Sequence, residues 1–218
     1  MHKLLGVLII MVVVPHFVAG QNQSVFQSEN LTYWAVGIKT GLGMNMALGD
    51  LGKTGTKPSL KGMVGGYGEY SFNKYMAIYS ALMVGINTGF TRDNYSLHWT
   101  TLDFDIIFKG RLPVNAWYTA TLGIGYTVST GMGSLREVSG GVKRNINFAD
   151  YSLNAVLQGI VVEIGNEFTL PVGYITVALR TDWRFVPLFK QVPYTDYDLR
   201  TGSVHLPFGL MLSYGFKF

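Results

Sequence analysis

Val204-His205-Leu206-Pro207-Phe208-Gly209-Leu210-Met211-Leu212-Ser213-Tyr214-Gly215-Phe216-Lys217-Phe218 closes the chain, and its reading decides the fold. Val204, Leu206, Phe208, Leu210, Leu212, Tyr214, Phe216 and Phe218 fall on one side; His205, Pro207, Gly209, Met211, Ser213, Gly215 and Lys217 fall on the other. Unbroken period two means a strand with one apolar face and one polar or small face. About ten tilted strand residues cross a bilayer, and this strand runs to an aromatic last residue. The ends of soluble domains fray instead. The stretch reads as the closing strand of a transmembrane β-barrel.

The same alternation recurs upstream. Strands are expected over Tyr33–Leu48, Lys61–Phe72, Tyr75–Phe90, His98–Leu112, Ala116–Ser129, Tyr151–Phe168 and Gly173–Phe185. In the fourth, Leu102, Phe104, Ile106 and Phe108 alternate with Asp103, Asp105, Lys109 and Arg111, so its polar face is no packed apolar core. The sixth changes phase, and a β-bulge near Gln158-Gly159 would restore its facing and keep Glu163 off the apolar side. Short turns are expected at Asn73-Lys74, where Asn suits positive φ, at Pro113-Val114-Asn115 and at Leu170-Pro171-Val172. Longer loops are expected over Gly49–Leu60, Thr91–Leu97, Thr130–Asp150 and Val186–Ser203. Short and long connections alternate around eight strands, as in transmembrane barrels. Aromatics gather near the strand ends, Trp34, Tyr70, Phe72, Tyr118 and Phe216 on the short-turn side and Phe90, Tyr126, Tyr151 and Trp183 on the other, like two interfacial girdles.

Composition agrees. Hydrophobic residues make up 48% and charged ones 14%, with 27 Gly, 13 Tyr and 13 Phe, which suits short strands better than a helical enzyme. The basic residues lie singly apart from Lys143-Arg144, which argues against nucleic acid as a partner. Cysteine is absent, so no disulfide, thiolate metal site or lipid-bearing cysteine is available. Neither metal-ligand spacing nor a phosphate loop appears, and no cofactor is expected.

Met1-His2-Lys3, the apolar run Leu4–Val14 and the small residues Val18-Ala19-Gly20 have the anatomy of an export signal cleaved after Gly20. The run is short for a spanning helix and is interrupted at Pro15-His16. Residues 21–32 carry no strand pattern and read as a periplasmic lead-in, and residues 33–218 as the barrel.

A soluble lipocalin-like barrel shares the eight up-and-down strands but turns its apolar face inward. Here the polar face is rich in Gly, Ala, Thr and Ser, suiting a crowded lumen. The apolar face carries no Lys, Arg, Asp or Glu, which in hydrocarbon would cost about 2–4 kcal/mol each near the midplane. The expected fold is therefore all-β, an eight-stranded antiparallel up-and-down transmembrane β-barrel.

Four motifs carry a family resemblance over the chain from about Ala35. They are Gly37-Ile38-Lys39-Thr40-Gly41, Gly65-Gly66-Tyr67-Gly68-Glu69-Tyr70, Phe108-Lys109-Gly110-Arg111-Leu112-Pro113 and Tyr214-Gly215-Phe216-Lys217-Phe218. With them the chain resembles the PorT-like outer-membrane β-barrels, in the wider company of small OmpX- and OmpW-type barrels. Ser213 departs from the pattern, standing where Gly is often seen. The resemblance implies an assembly signal in the last strand, with Tyr214, Phe216 and Phe218 as its aromatics and the barrel-assembly machinery as its partner. It implies outer-membrane location among lipid and lipopolysaccharide, and no particular activity.

Chemistry concentrates on the polar face. Lys39, Lys61, Glu69, Asp103, Asp105, Lys109, Arg111, Arg180, Asp182 and Arg184, with Glu163, point into a lumen just wide enough for side chains to fill. Buried charges need partners, so the expectation is a salt-bridged plug rather than a narrow conduit. Catalysis would need a set such as Ser203, His205 and Asp196 or Asp198 at the loop end. His98 phases outward and His205 has Pro207 two residues along, so no catalytic residue is assigned and the chain is not expected to be an enzyme. The remaining class is surface interaction, with Arg136, Lys143, Arg144, Tyr194 and Tyr197 as candidate contacts to an extracellular ligand or lipopolysaccharide phosphate. The expected role is a monomeric barrel of structural and surface-binding function. Passive transport of small or hydrophobic molecules, and lipid modification, are the alternatives.

Overall fold

A computed structural model describes residues 32–48, 57–92, 95–146, 156–185 and 204–218. The export signal, most of the lead-in and Tyr194 and Tyr197 lie outside these residues, as do Ser203, Asp196 and Asp198.

The described chain is all strand: β1 (Tyr33–Leu48), β2 (Ser59–Asn73), β3 (Met76–Arg92), β4 (Tyr95–Pro113), β5 (Tyr118–Ser139), β6 (Val142–Ile146), β7 (Val156–Leu170), β8 (Gly173–Arg184) and β9 (Val204–Lys217). Each pairs antiparallel with its neighbours, and β9 returns to β1, which closes the sheet. Eight strands form the wall, because β6 pairs with β5 outside the closure. The seam is tied to the last residue, since Phe218 N donates to Trp34 O at 2.9 Å and Trp34 N to Phe218 O at 3.2 Å.

The stagger sets the lumen. Stepping between paired residues from Tyr33 through Ser71, Ala77, Lys109, Gly123, Glu163, Arg180 and Gly209 returns to β1 at Gly43, ten residues further along the strand. Such a stagger tilts the strands by about 35–45° and leaves an interior that side chains fill.

Facing follows the alternation. Ile38 is 70% exposed and Trp183 67%, whereas Glu69, Asp105 and Asp182 are 0% exposed. Apolar side chains thus cover the outside and ionised ones fill the inside, the reverse of a soluble barrel and the arrangement that hydrocarbon demands. The lumen is not wholly polar. Met63, Met83, Ile107, Val161 and Met211 pack inside with Tyr67, Tyr79 and Tyr174.

Several expectations need correction. The stretch Thr130–Asp150 is not a plain loop. β5 runs on to Ser139, Gly140 and Gly141 turn with φ of 56° and 84°, and β6 follows. Positive φ at both central residues is what a two-residue hairpin requires. β3 and β4 also extend, pairing Phe90 with Leu97 and Arg92 with Tyr95, so a sheet of β3 to β6 continues past the barrel wall. Irregular register at Gly85/Thr88 and His98/Thr100 marks where this sheet leaves the wall.

No bulge interrupts β7 at Gln158-Gly159, whose pairings with β5 and β8 run without a shift. Leu157 is buried in the lumen and Gln158 faces outward, where its Oε1 accepts from the Tyr126 hydroxyl. The first hairpin turns at Lys74-Tyr75, one residue later than expected, and Asn73 acts through its side chain, its Oδ1 accepting from Tyr75 N at 2.8 Å. Ala116 and Trp117 belong to the second turn, not to β5. Tyr118 joins the aromatics of the short-turn end as expected, facing outward but covered by Trp117 and Phe168.

The charged lumen as candidate functional site

Inward side chains form a polar network along the barrel, in three clusters. At the short-turn end Glu69 receives Arg111 and lies 2.5 Å from Lys109 Nζ. Glu167 takes Lys109 at 3.1 Å and Arg111 at 3.4 Å, and Arg111 also donates to Ser71 Oγ at 2.6 Å. The Tyr174 hydroxyl donates to Glu69 at 2.9 Å. Outside this cluster Lys217 is half-buried, with its ammonium over the rings of Tyr33 and Tyr174.

In the middle, Lys39 donates to Glu163 Oε1 at 2.6 Å and to the Tyr79 hydroxyl at 2.8 Å, while Tyr79 donates to Glu163 Oε2. Arg180 holds Asp105 with both terminal nitrogens at 2.5 and 3.0 Å, Asp182 through Nε at 2.7 Å, and Glu163 at 3.4 Å. Lys109 lies over the rings of Tyr79 and Tyr174, so the first two clusters share that ammonium.

Toward the loop end Arg184 donates to Asp182 at 3.0 Å and to Ser129 Oγ at 2.6 Å. Ser129 in turn donates to Asp103, which accepts Lys61 at 3.0 Å.

These side chains meet because the stagger brings distant strands together. Glu163 and Arg180 are register partners on β7 and β8, and Asp103 and Ser129 on β4 and β5. Lys39 instead reaches Glu163 from β1, and Arg111 reaches Glu69 from two strands away. The buried cations are Lys39, Lys61, Lys109, Arg111, Arg180 and Arg184, and the buried carboxylates are Glu69, Asp103, Asp105, Glu163, Glu167 and Asp182. Among the described residues six face six, so these buried charges cancel, the half-buried Lys217 lying outside the sum, and every one of them has an opposite charge at 3.4 Å or less. Satisfied in this way, a buried network rigidifies what holds it; a missing member would leave an uncompensated charge. Between the lower and middle clusters remains a cavity of about 20 Å³, room for roughly one water.

The alternation places all ten lumen charges named from the sequence, and Glu163, inside the barrel. It passed over Glu167, which shares the facing of Glu163 four residues earlier on β7, and the hydroxyls of Tyr79, Tyr174, Ser71 and Ser129. On the far side, Arg136, Lys143 and Arg144 sit on strands, not in a loop. Arg136 pairs with His98 and Asn145, and Lys143 is exposed on β6. The Gly140-Gly141 pair, with Val138 and Val142 on either side of it, was the signal for that hairpin. His98 is half-buried at the foot of the same sheet, and His205 opposes Ala47 at the loop end of the seam. Tyr214 packs edge-on against Phe216 at 4.6 Å on the outer wall, and Phe216 and Phe218 are exposed there.

No protein-family model matches the sequence, and neither does any curated protein. Solved structures do. Neisserial surface protein A aligns with 84% of this chain and 96% of its own at 8% identity and a TM-score of 0.51. The outer membrane protein OprG from Pseudomonas aeruginosa aligns with 88% of this chain and 98% of its own at 11% identity and a TM-score of 0.51. At such identities the likeness is one of fold, that of a small closed membrane barrel.

Proposed function

We propose that this chain is a bacterial outer-membrane barrel with a sealed lumen, and that it works through the sheet of β3 to β6 beyond the wall. One observation carries the reading: among the described residues the fully buried lumen charges are equal in number and all paired, so they serve as a core and offer no aqueous path. In the extended sheet Arg136 on β5 and Lys143 on β6 share one face by register, while Arg144 falls on the other face opposite Glu137. Such a patch suits phosphate-bearing lipopolysaccharide or an extracellular partner, since loops and extensions on a rigid scaffold are where binding evolves. The export signal ending at Gly20 and an assembly signal at Tyr214, Phe216 and Phe218 belong to the same reading. The PorT-like affiliation is supported by the work its motifs do. Gly37 and Gly215 leave space for the Tyr67 and Tyr174 rings, and Glu69, Lys109 and Arg111 form the first charge cluster.

The test replaces residues 135–146 with a short Gly-Ser turn. The barrel's own pairings do not involve β6, so the variant is expected to keep its heat-modifiable gel shift. Vesicles carrying it are expected to lose retention on surfaces coated with lipopolysaccharide or matrix protein. Equal retention of both proteins would remove the sheet as the contact surface.

A further inference from the structure

The cavity between the two lower charge clusters has an unusual lining. Four hydroxyl-bearing residues, Tyr67 on β2, Thr121 on β5, Thr176 on β8 and Ser213 on β9, line it beside Lys39, Lys109, Glu69 and Glu163. The Tyr67 and Thr176 hydroxyls are buried and make no aligned hydrogen bond within the protein, although Tyr67 lies near the Tyr174 and Ser213 hydroxyls, and Glu69 Oε2, although close to Lys109, makes no aligned hydrogen bond either. A buried hydroxyl left unpaired forfeits its bond to water with nothing in return. Here the two residues that carry such groups line one space.

We propose that this cavity is a binding site for an ordered water that accepts from and donates to Tyr67, Thr176 and Glu69, and so joins β2 and β8 across the lumen. Size and charge select the ligand. The cavity of about 20 Å³ exceeds the roughly 10–15 Å³ that one water needs, and the site offers the two to four polar partners that hold buried waters. A monatomic anion would need surplus positive charge, but the lining lysines are each paired, Lys39 with Glu163 and Lys109 with Glu69 and Glu167. A cation would meet the same neutral lining with two ammonium groups beside it. A neutral molecule able both to donate and to accept suits these walls, and only water is small enough.

The site also accounts for Tyr67 and Thr176 among so many paired groups. With the water in place, Tyr67 and Thr176 are tied to the first cluster through Glu69.

The experiment uses the full barrel in detergent micelles. Water-to-protein magnetisation transfer should give cross-peaks from a long-lived water at the amides and side chains of Thr176 and Ala178. Thr176→Val, which keeps the shape but deletes the hydroxyl, should abolish them while the heat-modifiable shift persists. Crystals grown in bromide or rubidium salts supply the second arm. Ordinary solvent density with no anomalous peak is expected in the cavity. Absent cross-peaks in the unaltered protein would overturn the proposal, and so would a bromide or rubidium peak. If Thr176→Val does not fold, the unaltered protein and the crystals still decide.

Discussion

Arg180 is where three carboxylates meet, Asp105, Asp182 and Glu163. Arg180→Met keeps much of the stem's volume but leaves that surplus of negative charge in a dry interior. The expected loss is about 3–5 kcal/mol, read as a lowered urea midpoint for unfolding from detergent micelles. Lys61→Met strands Asp103 and should cost similarly, whereas Lys61→Met with Asp103→Leu should cost much less than the two single changes together. Strict additivity would mean that the pair is not coupled. Gly37 makes a different residue-scale demand. A Cβ there would stand 2.1 Å from the Tyr214 carbonyl oxygen and 2.6 Å from the Tyr67 ring. Gly37→Ala must therefore push the β1–β9 seam or the ring aside, at about 1–3 kcal/mol. An unchanged unfolding midpoint would show that the seam yields freely.

Among the elements, β7 shows what alternation reveals and what it hides. Its outward residues run from Gln158, bonded by the Tyr126 hydroxyl, through Ile160, Val162 and Ile164 to Asn166, bonded by the Tyr118 hydroxyl at 2.6 Å. Two amides, each capped by a tyrosine of β5, thus bracket the apolar stretch. At about 3.3 Å per residue and a tilt of about 40°, the bracket spans roughly 20 Å, near the height of an outer-membrane apolar band. Val162 lies at its centre and Val156 beyond its end. Val162→Arg should cost about 2–4 kcal/mol and Val156→Arg about 0–1 kcal/mol, as lipid depth dictates; equal costs, measured by urea unfolding in lipid vesicles, would contradict the placement. Facing was legible because hydrocarbon forbids charge on one side of each strand. That same logic misplaced Leu157, since it assumes that apolar means outward, while this lumen also packs Val161, Ile107 and Met83. The bulge inferred at Gln158-Gly159 followed from that assumption. The β5–β6 hairpin escaped because its strands leave the membrane, where the alternation loses its physical cause. The ion pairs escaped because contacts such as Lys39 to Glu163 depend on the stagger of the whole barrel, which no single strand records.

At the scale of the whole molecule, the question is whether anything passes. A staggered wall of eight strands encloses a space of side-chain width, and twelve paired charges with their tyrosines occupy it. An ion entering would have to shed its hydration shell and displace a member of this paired network. Removing one partner of a buried pair costs about 3–5 kcal/mol, and three clusters stand in series. The field offers little compensation, because the twelve buried charges cancel. The purified barrel in planar bilayers is therefore expected to show no steady conductance. Deleting a neutral pair, Lys39→Ala with Glu163→Ala, empties much of the middle cluster without adding charge. If the lumen is closed by its side chains and not by the wall, that change should convert silence into measurable current steps. Steady steps from the unaltered protein would mean that the network parts readily, and the sealed-core reading would give way to a conduit.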